Sequence, residues 1–479
     1  MYGQTLYRKI DFGLLMSYLF LVIFGWLNIY SAVFNEDHPI IFDVTQRYGM
    51  QFIWMCISFV TAIFIIYIIN PKIYDVLSPV LYGAMLLLLF VVIFAGKEVN
   101  GSKSWFYLGS FAFQPAEFSK ITTALMLSYV MSKYGFRLAN TRDAFKAAAI
   151  ILIPILLIIA EKETGSALVY LGLIFVLYRE GLSGWVLSFL FVIIALFVIT
   201  IVSSPLVAII CCFAAAGIIR ALIIKRNILG NFLIVLPILV FMAFIPIILR
   251  IKFMSFLTII RPEYIALIVV LPYLVVWLQD AVIKRDTPSK YLVTSFLVAS
   301  LFVISVNFIF TNVLQPHQTA RIESLLGVNQ DLQGIGYNVH QSEIAIGSGG
   351  IIGKGYLRGT QTRYNFVPEQ STDFIFCTVG EEWGFVGSLI LIAVYIYLII
   401  RIFILSDKNP DNFARIYGYC VASIFFMHVF INLGMTMGLL PVIGIPLPFL
   451  SYGGSSMLSF SILLFIFIRL DMERQNRFF

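Results

Sequence analysis

About fourteen stretches of this chain, most of them close to the length of a bilayer-crossing helix, are built almost wholly from apolar residues, more than a soluble fold can bury. They fall near 11–31, 48–69, 75–95, 116–133, 144–160, 166–179, 184–202, 204–224, 229–249, 262–283, 290–312, 374–403, 416–437 and 453–470. Composition agrees: 60% of the 479 residues are hydrophobic and 12% charged, where soluble domains carry about a quarter charged residues. This excludes a cytosolic enzyme, a disordered chain and a secreted module. The run at 11–31 follows Arg8 and Lys9 with no small-residue cleavage site behind it, so it reads as a retained first helix. Cys56, Cys211, Cys212, Cys377 and Cys420 lie in or against apolar runs without a CxxC, which indicates neither disulfides nor zinc.

The formal charge of +7 is an orientation signal. With the N-terminus inside, the cytoplasmic connections collect Lys72, Lys133, Arg137, Arg142, Lys146, Arg179, Arg220, Lys225, Arg226, Lys284, Arg285, Lys408 and Arg415, and the tail adds Arg469, Arg474 and Arg477. An even number of spans returns the C-terminus to the same side. Arg250, Lys252 and Arg261 break the pattern, so 250–261 is expected to be an interfacial segment, or one neighbouring span is misplaced.

Polar chemistry concentrates in four segments on the outer side. The longest, 313–373, has eight glycines between Gly334 and Gly359 and interleaves them with Ile344, Ile346, Ile351 and Ile352. Such glycines permit positive φ and close backbone approach, as a loop folded against a bulky polar ligand requires; a flexible linker is the alternative. Asp373 ends this loop ahead of a long apolar run and reads equally as a helix cap or a catalytic base. Glu381 and Glu382 lie deeper, where structural pairing is the expected role. The second segment, 96–120, holds Trp105, an interfacial anchor on its own, and Gln114-Pro115-Ala116-Glu117, a helix start. A charged corner follows at Glu161 to Ser166. The fourth segment, Gly438 to Ser456, is too rich in proline and glycine for a regular helix and is expected to line a cavity.

Together these segments resemble the SEDS family of cell-wall polymerases. The resemblance rests on W-x₈-Q-P-x-E-x₂-K from Trp105 to Lys120, Q-x₂-R-I from Gln318 to Ile322, and G-S-G-G-x₂-G-K-G from Gly347 to Gly355. It continues with G-T-Q from Gly359 to Gln361, P-E-x₃-D-F-I-F from Pro368 to Phe376, and G-x₂-P-x₃-I-P-L-P-x₂-S-Y-G-G from Gly438 to Gly454. It covers about 1–182 and 290–470, and its spellings are nearer the elongation branch than the division branch. Glu163 stands where the family usually has aspartate, and Ser104 where it has arginine, leaving Lys103 as the nearest cation.

The resemblance implies an all-α polytopic helix bundle: a ten-helix core in 1–182, 290–312 and 374–479, an insertion of about four spans at 183–289, and the large loop at 313–373. It implies an inverting peptidoglycan glycosyltransferase that polymerises Lipid II at the outer face of the cytoplasmic membrane during elongation. Asp373 would be the general base. Trp105, Gln114, Glu117, Lys120, Glu163, Arg321, Lys354 and Glu369 would bind substrate or support the site, with Lys120 and Arg321 as cations beside the leaving diphosphate. A divalent cation, Mg or Mn, would sit on Glu163 or Asp373. A class B penicillin-binding protein, other elongation-complex membrane proteins and membrane lipid would be its partners, with no nucleic acid. A lipid-linked precursor flippase or transporter, and a non-catalytic scaffold for the penicillin-binding protein, are the competing expectations.

Overall fold

A computed structural model describes residues 10–34, 38, 40–99, 102–108, 111–224, 228–248, 261–283, 287–313, 319, 337–364, 366–440 and 442–476. Helices α1 (Phe12–Ala32), α2 (Arg47–Tyr67) and α3 (Lys72–Ala95) come first. Asp11 starts α1 by accepting from the Leu14 N–H at 3.0 Å, and it also receives Arg401 at 2.7 Å. Strands β1 (Lys97–Val99), β2 (Ser102–Leu108) and β3 (Phe111–Phe113) then form a small antiparallel sheet in the order β1-β2-β3. This sheet was not expected. The aromatic run Trp105-Phe106-Tyr107, of high strand propensity, is its sequence signal, short enough to be hidden between two strongly apolar runs. Helix α4 (Pro115–Met131) begins with proline at its first turn, and α5 (Thr141–Ala160) is capped by Asn140. The expected span at 166–179 is broken into α6 (Thr164–Tyr170) and α7 (Leu173–Arg179).

Helices α8 (Gly184–Val202), α9 (Pro205–Ile224), α10 (Ile228–Ile248), α11 (Pro262–Ile283) and α12 (Thr287–Phe308) follow, α12 running into a π turn at Ile309–Val313. The chain then continues through α13 (Tyr337–Ser348), α14 (Thr360–Arg363), α15 (Ile375–Asp407), α16 (Asn412–Thr436) and α17 (Gly454–Asn476). Each of the fourteen apolar stretches is therefore helical, and among the described residues eleven helices are long and apolar enough to cross a membrane. Residues 250–260 lie outside the described ones.

Two compact units result, Met1–Gly184 with Leu332–Phe479, and Trp185–Asp331. In the second, Phe213 stacks on Trp277 with centroids 5.8 Å apart, and Phe296 closes edge-on at 6.0 Å. Arg220 lies 4.8 Å over the Trp277 ring. Helix α12, assigned to the core by the sequence reading, groups in this unit with α9 and α11.

In the first unit α16 and α17 are central: 78% and 83% of their apolar windows are buried, against 22% for α3, which presents most of its surface outward. Small residues allow the close approaches. A Cβ on Gly25 of α1 would lie 2.7 Å from the Leu450 Cα, so α1 packs on the irregular 438–453 segment without a side chain between. Tyr18 beside it meets Phe449 and Phe465 edge-on at 5.0 and 4.9 Å, contacts worth about 0.5–1.5 kcal/mol each beyond burial. Connections α1–α2, α3–α4, α5–α6 and α16–α17 and the start of α15 all fall at one end of this bundle, which gathers the segments singled out above.

Candidate active site

Asp373 lies between a turn and α15. The helix starts at Ile375, its N-cap residue is Phe374, and no side chain caps it, so Asp373 is not a cap. Its loop is fastened from four sides. Arg47, at the start of α2, donates to Ser371 Oγ at 2.7 Å, and Gln370 donates to the Ala32 carbonyl at 2.6 Å. Ser451 donates to the Thr372 carbonyl at 2.6 Å, and Asn432 of α16 donates to the Asp373 carbonyl at 2.8 Å. Against the carboxylate stands Gly444, with φ +68°; a Cβ there would lie 3.2 Å from Asp373 Oδ2. Burial, and then the charge of Glu369, push the Asp373 carboxyl up to about 7. Glu369 itself is half exposed with φ +50°, accepts from Thr372 Oγ1 at 3.1 Å and lies 3.7 Å from Arg47. Arg47 also faces the Tyr452 ring at 5.8 Å.

The Glu161 to Ser166 corner reaches the same segment from the other side. A Cβ on Gly165 would lie 2.8 Å from the Ile443 carbonyl, so this corner and Asp373 flank residues 443–445. Glu163 accepts from Gln114 Nε2 and from Ser166 Oγ, both at 2.6 Å. Its Oε2 and both carboxylate oxygens of Glu161 are buried without a hydrogen-bond partner. Burial, reinforced by Glu163, pushes Glu161 up to about 9, so Glu161 holds a proton at neutral pH unless a cation takes its place. Three hard carboxylate oxygens suit Mg²⁺ or Mn²⁺, which bind through one or two carboxylates with substrate phosphate completing the shell. Among the described residues no cluster of three or more His, Cys, Asp or Glu side chains could hold a metal alone. The sheet joins this corner through Lys103 N–H to the Glu161 carbonyl at 3.2 Å. Trp105 lies half-buried in β2, paired across the ladder with Lys97.

Glu117 and Lys120 sit inside the bundle. Lys120 Nζ donates to Glu117 Oε1 and to His428 Nε2, each at 2.8 Å, and Ser459 donates to Glu117 Oε2 at 3.2 Å. An ammonium only donates and a carbonyl only accepts, so His428 is the neutral tautomer whose Nδ1–H points to the Pro446 carbonyl at 3.2 Å. With its side chain 3% exposed and already paired, Lys120 is not an open cation for a diphosphate; its position corrects that expectation.

Two glycines of the glycine-rich loop are needed for close approach to protein backbone: a Cβ on Gly349 would overlap the Gly380 carbonyl, and one on Gly353, at φ +87°, the Glu382 carbonyl, while Gly347 and Gly350 face open space. There α15 itself is interrupted by Gly384, at φ 64° and ψ −160°. Lys354 is spent on Glu381 at 2.6 Å and on Thr360 Oγ1 at 2.7 Å. Glu381 additionally accepts the N–H groups of Thr360, Gln361 and Thr362 at 2.7, 2.8 and 2.9 Å, which are the free donors at the start of α14. Glu382 accepts from Ser31 of α1. Arg321 lies outside the described residues. Arg47, His428 and Asn432 were missed because each stands alone in an apolar helix; only a cation at a helix start, or a polar residue deep in a span, marks them.

A bundle in which eleven helices among the described residues are long and apolar enough to cross a membrane defines a multi-pass integral membrane protein, and the chain belongs to the FtsW/RodA/SpoVE family of cell cycle proteins, whose profile matches residues 12–216 and 287–476. Only 217–286 of the expected insertion thus falls outside the match. Among its relatives, the peptidoglycan glycosyltransferase RodA of Treponema pallidum is 30% identical over 452 residues, 93% of this chain and 94% of that one. The peptidoglycan glycosyltransferase MrdB of Escherichia coli K12 is 29% identical over 458 residues, covering 95% and 92%. A probable peptidoglycan glycosyltransferase FtsW of Neisseria gonorrhoeae is 26% identical, covering 98% and 86%. The fold is that of the Thermus thermophilus rod shape determining protein RodA, with TM-score 0.54, 20% identity and 97% of each chain covered. A chain of a peptidoglycan synthase complex matches with TM-score 0.62 and 22% identity over 97% of this chain and 98% of that one.

Proposed function

We propose that this protein is a peptidoglycan glycosyltransferase that polymerises Lipid II at the outer face of the bacterial cytoplasmic membrane, with both termini in the cytoplasm. The observation that carries the reading is Asp373, a half-buried carboxylate on a fastened loop, set against Gly444 and pushed up to about 7. As general base it takes the proton from the acceptor sugar hydroxyl while that oxygen attacks the anomeric carbon of the lipid-diphosphate-linked glycan. The anomeric carbon inverts, and the lipid diphosphate leaves with the bonding electron pair. Arg47, half exposed and tied to Ser371 of the loop that carries the base, neutralises developing phosphate charge. Glu161 and Glu163 are the residues that would hold a divalent cation, whose chemistry is to offset the diphosphate charge. Trp105 offers an aromatic face to a sugar.

Greater identity to RodA and MrdB than to FtsW supports a role in elongation. The likeness to a chain of a synthase complex supports a class B penicillin-binding protein as partner. With purified protein and labelled Lipid II, Asp373→Asn is expected to fold and to yield no glycan polymer. Polymer of normal length from that variant overturns the base assignment. Lipid transfer between leaflets without polymer from the unmodified protein would favour a flippase, and neither activity would favour a scaffold.

A further inference from the structure

We infer that Asn432, unassigned by any motif, is the positioning residue that sets Asp373 against the 443–446 segment. This rests on the reading of Asp373 as the base. Asn432 is fully buried in α16, and its two amide hydrogens are both committed: Nδ2 donates to the Asp373 carbonyl at 2.8 Å and to the Ile445 carbonyl at 2.7 Å. Those two carbonyls belong to segments 72 residues apart in sequence (445 minus 373), brought together by one side chain. Ile445 follows Gly444, the residue whose Cα faces the Asp373 carboxylate. One amide therefore fixes both the base and the wall behind it.

The neighbouring turn of α16 repeats the device. His428, four residues earlier and so on the same helix face, holds the Pro446 carbonyl at 3.2 Å and is itself held by Lys120 at 2.8 Å. Consecutive carbonyls of a non-helical segment are thus pegged by an i, i+4 pair, and the second peg reaches on to Asp373. Asn432 Oδ1 is buried without a partner, so the side chain's hydrogen bonds run through its donors alone. A buried amide that turns both donors on loop carbonyls is suited to placement, since only a donor pair satisfies two acceptors at once. Aspartate of the same size cannot do this, because an ionised carboxylate accepts only.

The test uses the full-length protein in detergent with labelled Lipid II, measuring kcat and KM for Asn432→Asp, Asn432→Gln and Asp373→Asn, each referred to folded protein by its thermal transition. The expected result is a kcat lowered 10- to 100-fold in Asn432→Asp with KM within threefold, and a partial recovery of kcat in Asn432→Gln, which keeps the donors. Wild-type kcat in folded Asn432→Asp overturns the inference, as does a rise in KM alone. Where the Asn432 variants do not fold, Ser451→Ala, which removes the parallel tie to the Thr372 carbonyl, is expected to lower kcat several-fold at unchanged KM; unchanged kcat there overturns it. An active Asp373→Asn sinks the reading of the base instead, so the two failures are told apart.

Discussion

At the scale of single residues the candidate site turns on carboxylates whose surroundings differ. Asp373 works as a base only when ionised, so with its carboxyl near 7 in the free protein kcat/KM should rise as pH passes through about 7 and level off above it. Glu369→Gln removes the second contribution to that elevation; it should lower the Asp373 pKa and move the acid limb of the kcat/KM profile to lower pH. A limb that stays in place contradicts the coupling of these two acids. For Glu161 and Glu163, chelation by EDTA should abolish polymerisation, and Mg²⁺ or Mn²⁺ should restore it. In Glu161→Gln, half-restoration should need a higher cation concentration, which a titration of polymer yield measures. Activity indifferent to EDTA would remove the cation from the reaction.

At the scale of elements, α15 and the glycine loop beside it act as one piece. Glu381 has no exposed side chain and accepts from Lys354 and from three N–H groups at the start of α14, so Glu381→Gln breaks a buried pair and leaves donors unmet. A loss of about 3–5 kcal/mol is expected, read as a lower thermal midpoint in detergent, and a midpoint within a degree of the parent would refute it. Gly353→Ala should destabilise as well, because φ +87° is unfavourable for alanine and its Cβ meets the Glu382 carbonyl. This piece also marks where sequence reasoning stopped. The spans were legible because apolar runs of bilayer length have few alternatives, and Asp373 and Glu163 were legible because a motif carries them. The destination of the glycines was not: Gly349 and Gly353 signal close approach, but the sequence does not say to what, and the answer is the backbone of α15. Lys120 was misread for a related reason, since its partner His428 is 308 residues away and only the fold joins them. The hairpin was obscured by its length.

At the scale of the whole molecule, the proposed chemistry draws on the first unit alone, and the second is a separate apolar core. Trp277, buried against Phe213, Tyr273 and Phe296's cluster, is its largest anchor. Trp277→Ala should cost about 3–5 kcal/mol and lower the thermal midpoint, while kcat per folded molecule stays within twofold of the parent. A large fall in kcat would tie the second unit to the reaction.

The fastening of the 370–373 loop carries one more consequence. Its ties come from the end of α1, the start of α2, the body of α16 and the turn before α17, so no single hinge frees it. On the proposed reaction the carboxylate is then a stationary post, and what travels is the polymer. Each addition must carry the new chain end past that post by the length of the sugar unit joined, which makes the stride of synthesis a property of the glycan rather than of a swinging loop.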